Sequence, residues 1–185
     1  MGERGMSKFP TNKQWSDQFI PHIKMCLGFC LSSIADWEED AKRNTDLFVM
    51  RAADVRVGCR VRRMKYISRN SEFTVRFRAS NGGKSEFGKI LEGWGEHLFY
   101  GFGSDETQLV EQWSLIDLSV FRGHVTRHMS THGGEIPGKL IANRGSTPTQ
   151  FRAFRFCDFP SDLVTQSSHN LPFEIQSKVL AHGFI

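Results

Sequence analysis

Nine Lys/Arg residues fall between positions 51 and 78 against two acids, Asp54 and Glu72, a local +7 in a chain whose net charge is +4. The basic character is therefore confined to one segment, which points to a surface patch. Guanidinium groups pair bidentately with phosphate oxygens. Each phosphate neutralised also releases counterions, so such a patch would bind a polyanion in a salt-dependent way. In VRVGCRVRR (55–63), Val55, Val57, Cys59 and Val61 alternate with Arg56, Arg60 and Arg62, the period of a strand. In FTVRFR (73–78), Phe73, Val75 and Phe77 alternate with Thr74, Arg76 and Arg78. If the two strands are neighbours, Arg56, Arg60, Arg62, Arg76 and Arg78 share one surface, with Arg63, Lys65 and Lys84 beside it. Like charges opposed across strands are destabilising, so the set needs a compensating partner. That partner is either a phosphate backbone or internal acids such as Asp46, Glu72, Glu86 and the run 36–40.

Other side chains with reactive potential carry weaker signals. His124, His128 and His132 are spaced i, i+4, i+8, so a helix would place them on one face, where a His pair can bind zinc. No Glu adjoins the first of them and Gly133-Gly134 follows at once, so they read as surface histidines. Cys26 and Cys30 lack a second pair, and the cysteines read as buried, reduced thiols. Trp94, Phe99, Tyr100 and Phe102 alternate with Gly93, Gly95, Gly101 and Gly103. Aromatics beside a basic groove can stack on bases, although packing inside a strand is the commoner use. No phosphate-binding loop, dinucleotide fingerprint, nucleophile elbow or zinc-finger spacing occurs.

The elements that must position these residues follow from hydrophobic periodicity. Trp15, Phe19, Ile23, Cys26, Cys30, Ile34 and Trp37 lie on one helical face, broken or kinked at Pro21. Strands are expected at 45–50, 55–63, 73–78, 97–102 and 112–121, with a helix capped by Ser85 and running to about Trp94. From 122 the pattern weakens into loop signals, then an aromatic cluster of Phe151, Phe154, Phe156 and Phe159, then a short helix near 173–180. The expected fold is α+β, a mixed β-sheet with flanking helices, in one domain over 1–185: a core at 12–121 and an irregular, loop-rich extension at 122–185 packed on it.

The order helix, three strands, helix, strand over residues 12–102 resembles the αβββαβ core of the PD-(D/E)XK nuclease-like superfamily. In that family an acid opens one core strand and an acid-x-Lys lies on the next, together holding Mg²⁺ for phosphodiester hydrolysis. The resemblance puts Asp46 in the first place, while Arg60 stands where the second carboxylate belongs. It implies a migrated carboxylate, either Glu38 or Glu39 from the first helix or Glu86 from the second; in the latter case Glu86 joins Asp46 in holding Mg²⁺ and Lys89 supports the attacking water, so that Asp46, Glu86 and Lys89 are the candidate catalytic residues. The segments Lys8–Trp15, Ala41–Leu47, Cys59–Arg63 and Glu92–Gly95 also resemble uncharacterised phage and prophage proteins, which implies a phage or bacterial host.

The expected function is nucleic-acid binding, with Mg²⁺-dependent cleavage as its enzymatic form and an inactive nuclease relative as its binding form. One alternative is a phage-encoded inhibitor that docks on a nucleoprotein or protein complex of the host defence, of the CRISPR type. Another is a virion or assembly component. No apolar run approaches the ~18 residues that span a bilayer, and residues 1–15 hold no apolar signal core. The bacterial cytoplasm is the expected compartment, with no membrane partner.

Overall fold

The computed structural model describes residues 14–34, 47–49, 55–78, 83–142 and 149–169, of which 29–34 and 47–49 as backbone alone. The fold is α+β with helices against mixed strands. A helical turn over 14–17 breaks at 18–19, and helix α1 (Ile20–Leu31) restarts with Pro21 in its first turn. Proline is tolerated there because the first-turn N–H has no intrahelical acceptor to lose. The helix does not continue through Ile34, as periodicity suggested. It stops at Leu31, and β1 (Ser32–Ile34) pairs antiparallel with β2 (Leu47–Val49). Trp37, Glu38, Glu39 and Asp46 lie outside the described residues, as does the helix expected near 173–180.

The main sheet runs β3-β5-β6-β9, formed by β3 (Val57–Arg63), β5 (His97–Gly103), β6 (Val110–Asp117) and β9 (Val164–Ser167). β3 and β5 are parallel, in register from Val57↔His97 to Arg63↔Gly103; the other pairs are antiparallel. A parallel pair needs a long crossover. This one holds a 3₁₀ segment (Met64–Arg69), strand β4 (Glu72–Arg78) and helix α2 (Glu86–Leu91), whose N-cap Ser85 accepts from the Gly88 N–H at 3.1 Å. β4 does not join the main sheet. It pairs antiparallel with β8 (Gln150–Arg155), and β8 with β7 (Lys139–Ala142), to make a second sheet. The expected neighbouring of the two arginine strands is thereby corrected: β3 and β4 follow one another in the chain but belong to different sheets.

β5 is covered on both faces, as a strand interior to a layered domain must be. Leu98, Tyr100 and Phe102 face a core shared with the second sheet and the helices, where Phe73, Phe87, Phe121 and Phe154 gather. Phe73 lies 5.4 Å from Phe154 and 5.7 Å from Phe121 between ring centroids, favourable aromatic spacings. Phe99 faces the other way, stacked on Trp113 at 5.2 Å, in a smaller core closed by Phe19, Ile23 and Cys26 of the N-terminal segment. The glycines on that face set the depth of the seat, because a Cβ on Gly103 would stand 2.5 Å from the Phe19 ring.

Two further expectations are corrected beyond Val110. The strand expected over 112–121 ends at Asp117, whose carboxylate accepts from the Ser119 and Val120 N–H groups at 2.7 and 3.2 Å and opens helix α3 (Leu118–Thr131). Leu118, Phe121 and Val125 are buried at helical spacing. A run of apolar residues in Leu118–Phe121 reads equally as strand or helix, and the cap decides it. The stretch after 122 is likewise not an irregular extension. It finishes α3 and supplies β7, β8 and β9, so the second sheet exists only because the C-terminal third returns to β4. The loop signals were real but punctuate strands: Gly133, Gly134 and Gly138 all hold positive φ.

Candidate nucleic-acid interface

Outward alternation of the arginines is only partly what the strands produce. β3 is the edge of the main sheet, and its arginine-bearing face turns toward the second sheet. Arg60 is mostly buried, its guanidinium bonded to Glu86 of α2 and lying 5.4 Å from the Phe151 ring centroid. Arg62 donates to the Tyr100 hydroxyl at 3.3 Å and lies 4.6 Å from the Tyr66 ring centroid. On the opposite face, Val57 and Val61 pack against the smaller core, whereas Cys59 and Val55 are exposed. Arg63, also on that face, pairs with Asp105 at 2.7 Å and covers the Trp15 ring at 4.3 Å; Trp15 Nε1 donates to the same carboxylate. The two side chains thus tie the 14–17 turn to the β5–β6 loop.

The remaining cations divide into two groups. Arg56 is exposed at the start of β3, where its N–H donates to Glu96 at 2.6 Å. Arg78 is exposed at the end of β4, and exposed Lys65 lies 5.3 Å from the Tyr66 ring centroid. Arg76, Lys84 and Lys89, by contrast, meet around an open pocket of about 310 Å³. Its floor is apolar, made by Ile90, Leu98 and Leu118, and Trp94 forms part of its wall. Lys84 is paired with Glu92 at 2.7 Å. Among the described residues, no carboxylate forms an ion pair with Arg76 or Lys89. The pocket's acid is Glu86, whose Oε2 is already taken by Arg60 and by the Arg76 N–H at 2.8 Å. The local balance is therefore cationic at the opening and neutral behind it.

Trp94 departs from the aromatic group in which the sequence places it. Its sequence companions Phe99, Tyr100 and Phe102 are core residues, but Trp94 is 60% exposed. Gly93 and Gly95 hold φ of 93° and 80°, a backbone region open to glycine that turns the intervening indole out of the helix end. The Gly95 carbonyl accepts from Arg122 of α3 at 3.1 Å, which steadies the turn. The triplet alone does not reveal this, since Gly101-Phe102-Gly103 lies inside β5 with Phe102 buried; the positive φ of Gly93 and Gly95 makes the difference.

The described part of the implied Mg²⁺ site is Glu86 and Lys89; its other carboxylate, Asp46, lies outside the described residues. Mg²⁺ takes oxygen ligands in a near-octahedral shell. The single carboxylate lining the pocket has one oxygen bonded to two N–H donors, and the described residues contain no group of three His, Cys, Asp or Glu placed to hold a metal. The expected partnership of Asp46 with Glu86 therefore lies outside the described residues too. Glu86 and Lys89 do line one pocket, as the reading of a migrated carboxylate requires, but Glu86 acts there as the counter-ion of Arg60. The histidines share a face of α3: His128 and His132 stack at 4.0 Å, and His124 lies 4.5 Å from the Phe159 ring. Cys26 is buried, but the expected burial is corrected for Cys59 and Cys157, which are exposed free thiols.

Among the described residues no helix is long and apolar enough to cross a membrane. Comparison with protein-family models, curated proteins and solved structures finds no match.

Proposed function

We propose that this protein binds nucleic acid through the pocket at α2, in the phage or bacterial setting that its sequence resemblance implies. Arg76 and Lys89 take phosphate oxygens and Trp94 takes a base. One observation carries this reading: two cations without an acidic partner among the described residues line an apolar-floored pocket beside an indole held out by two positive-φ glycines. Exposing a tryptophan to water forgoes burial worth ~2 kcal/mol or more. Unpaired cations around it add no stability, so both features make sense when a ligand offering phosphate and a flat ring covers them. Glu86 supports the geometry by holding Arg60 and the Arg76 backbone, and the reading routes no bond cleavage through it.

The test is titration of fluorescein-labelled DNA and RNA with the full chain at two salt concentrations. Binding should weaken as salt rises, with a log–log slope of about −0.7 to −0.9 per phosphate contact. Replacing Arg76 or Lys89 by Ala should each lower that slope by about 1. Binding indifferent to salt, or unaltered in the double variant R76A/K89A, would overturn the proposal.

A further inference from the structure

We infer that the phosphate this pocket takes is a terminal one: the ligand is an unpaired nucleotide carrying a phosphomonoester, either free or at the end of a single strand. The inference rests on the assignment above of Arg76 and Lys89 to phosphate and of Trp94 to a base, and names which phosphate.

Volume sets the number of nucleotides. At about 310 Å³ the pocket lies at the lower end of the ~300–1,000 Å³ range of small-ligand sites, room for one nucleotide unit. Its base must be unpaired, because a base inside a duplex is stacked on both faces and has none to lay on Trp94. Charge sets the kind of phosphate. Lining the pocket or ion-paired to its lining, Arg60, Arg76, Lys84 and Lys89 stand against Glu86 and Glu92. Glu86 answers Arg60 and Glu92 answers Lys84, which leaves the charges of Arg76 and Lys89 uncancelled among the described residues. Both belong to one locality. The Arg76 N–H donates to Glu86 at 2.8 Å, and Lys89 stands three residues beyond Glu86 on α2, the spacing of neighbours on one helical face. A phosphodiester inside a strand brings a single negative charge. A phosphomonoester brings about −1.5 to −2 at neutral pH and three acceptor oxygens, enough for a guanidinium and an ammonium together. Two uncancelled cations beside room for one nucleotide therefore match a terminal phosphate, where an internal one would leave a positive charge unanswered.

The experiment is calorimetric titration of the full chain with adenosine, adenosine monophosphate (AMP) and the methyl ester of AMP, whose phosphate is a diester. A second series uses single-stranded DNA and RNA octanucleotides that carry or lack a phosphate at either end. AMP should bind about tenfold or more tightly than adenosine or the ester, and a phosphorylated strand should exceed its hydroxyl-ended counterpart by a similar factor, the effect of one added hydrogen bond between charged groups. Lys89 is exposed, so Lys89→Ala should fold, which an unchanged melting temperature would verify. That variant should lose most of the preference for AMP over the ester while binding adenosine as the parent does. Trp94→Ala should instead weaken all three small ligands alike, about tenfold or more, and leave the preference intact. A preference seen only with AMP assigns the pocket to free nucleotides, and one seen only with strands assigns it to their ends; either upholds the inference. Strands that bind while neither series responds to the terminal phosphate, or a preference unaltered in Lys89→Ala, would overturn it and leave the nucleic-acid reading standing. Absence of binding to any of these ligands would overturn both.

Discussion

Arg60 and Glu86 form an ion pair that joins the main sheet to helix α2, and the same Glu86 oxygen accepts the Arg76 N–H of the second sheet at 2.8 Å. One carboxylate oxygen thus links three elements. The Arg60 side chain is 18% exposed and that of Glu86 29%, so removing the acid leaves a cation with little water to replace it. Breaking a fully buried pair costs ~3–5 kcal/mol, and the residual solvent at both ends brings the expectation for Glu86→Ala to about 2 kcal/mol. Urea unfolding would measure it. A double-mutant cycle with Arg60→Met should show strong coupling, since removing both charges relieves the penalty. Additive losses would contradict this role.

The seat of α1 depends on an absent methyl group. A Cβ at Gly103 would lie 2.5 Å from Phe19 and 2.9 Å from Val61, closer than carbon atoms pack. Gly103→Ala should therefore destabilise the fold by about 1–3 kcal/mol. Phe19→Leu in the same chain should recover part of that loss by giving the methyl room. A denaturation midpoint unchanged in Gly103→Ala would show that the helix can shift without cost.

His124 should make stability depend on pH. Burial holds its pKa below the ordinary 6.5, with help from His128 and Arg127 and against the pull of Asp158. A depressed folded pKa means that the folded state binds fewer protons than the unfolded chain. The stabilising contribution is then present above about pH 6.5 and is lost as pH falls through the folded value. Asp105, Asp117 and Asp158 have pKa values lowered from 3.8, so they stay ionised across that window. The melting temperature should fall between about pH 7 and pH 5, and His124→Gln should flatten that fall. An identical pH profile in the variant would move the effect elsewhere.

The strands around the cationic segment were legible because alternation is local. VRVGCRVRR and FTVRFR form strands close to the expected bounds, and Ser85 caps α2 as its position implied. What alternation cannot specify is the partner of each strand. The arginine-bearing face of β3 lies against the second sheet only because β4 leaves to pair with β8, some 70 residues further on in the chain. The candidate site divides similarly. Glu86 and Lys89 came only from the nuclease resemblance and line one pocket, whereas Trp94 was grouped with core aromatics that share its composition but not its backbone.

Sequence alone determined the local +7 segment, the α+β class, the break before Pro21 and the periodicity of most elements, because these depend on charge count and near-neighbour geometry. The tertiary structure decided which charges are spent and which are free. Arg60 and Glu86 neutralise one another 26 residues apart, and Arg63 and Asp105 do so 42 apart. Arg76 and Lys89 are left at the pocket opening without such a partner among the described residues. Electrostatic compensation depends on distance in space, which follows from sheet pairing, and sheet pairing here is set by contacts that the order of residues does not display.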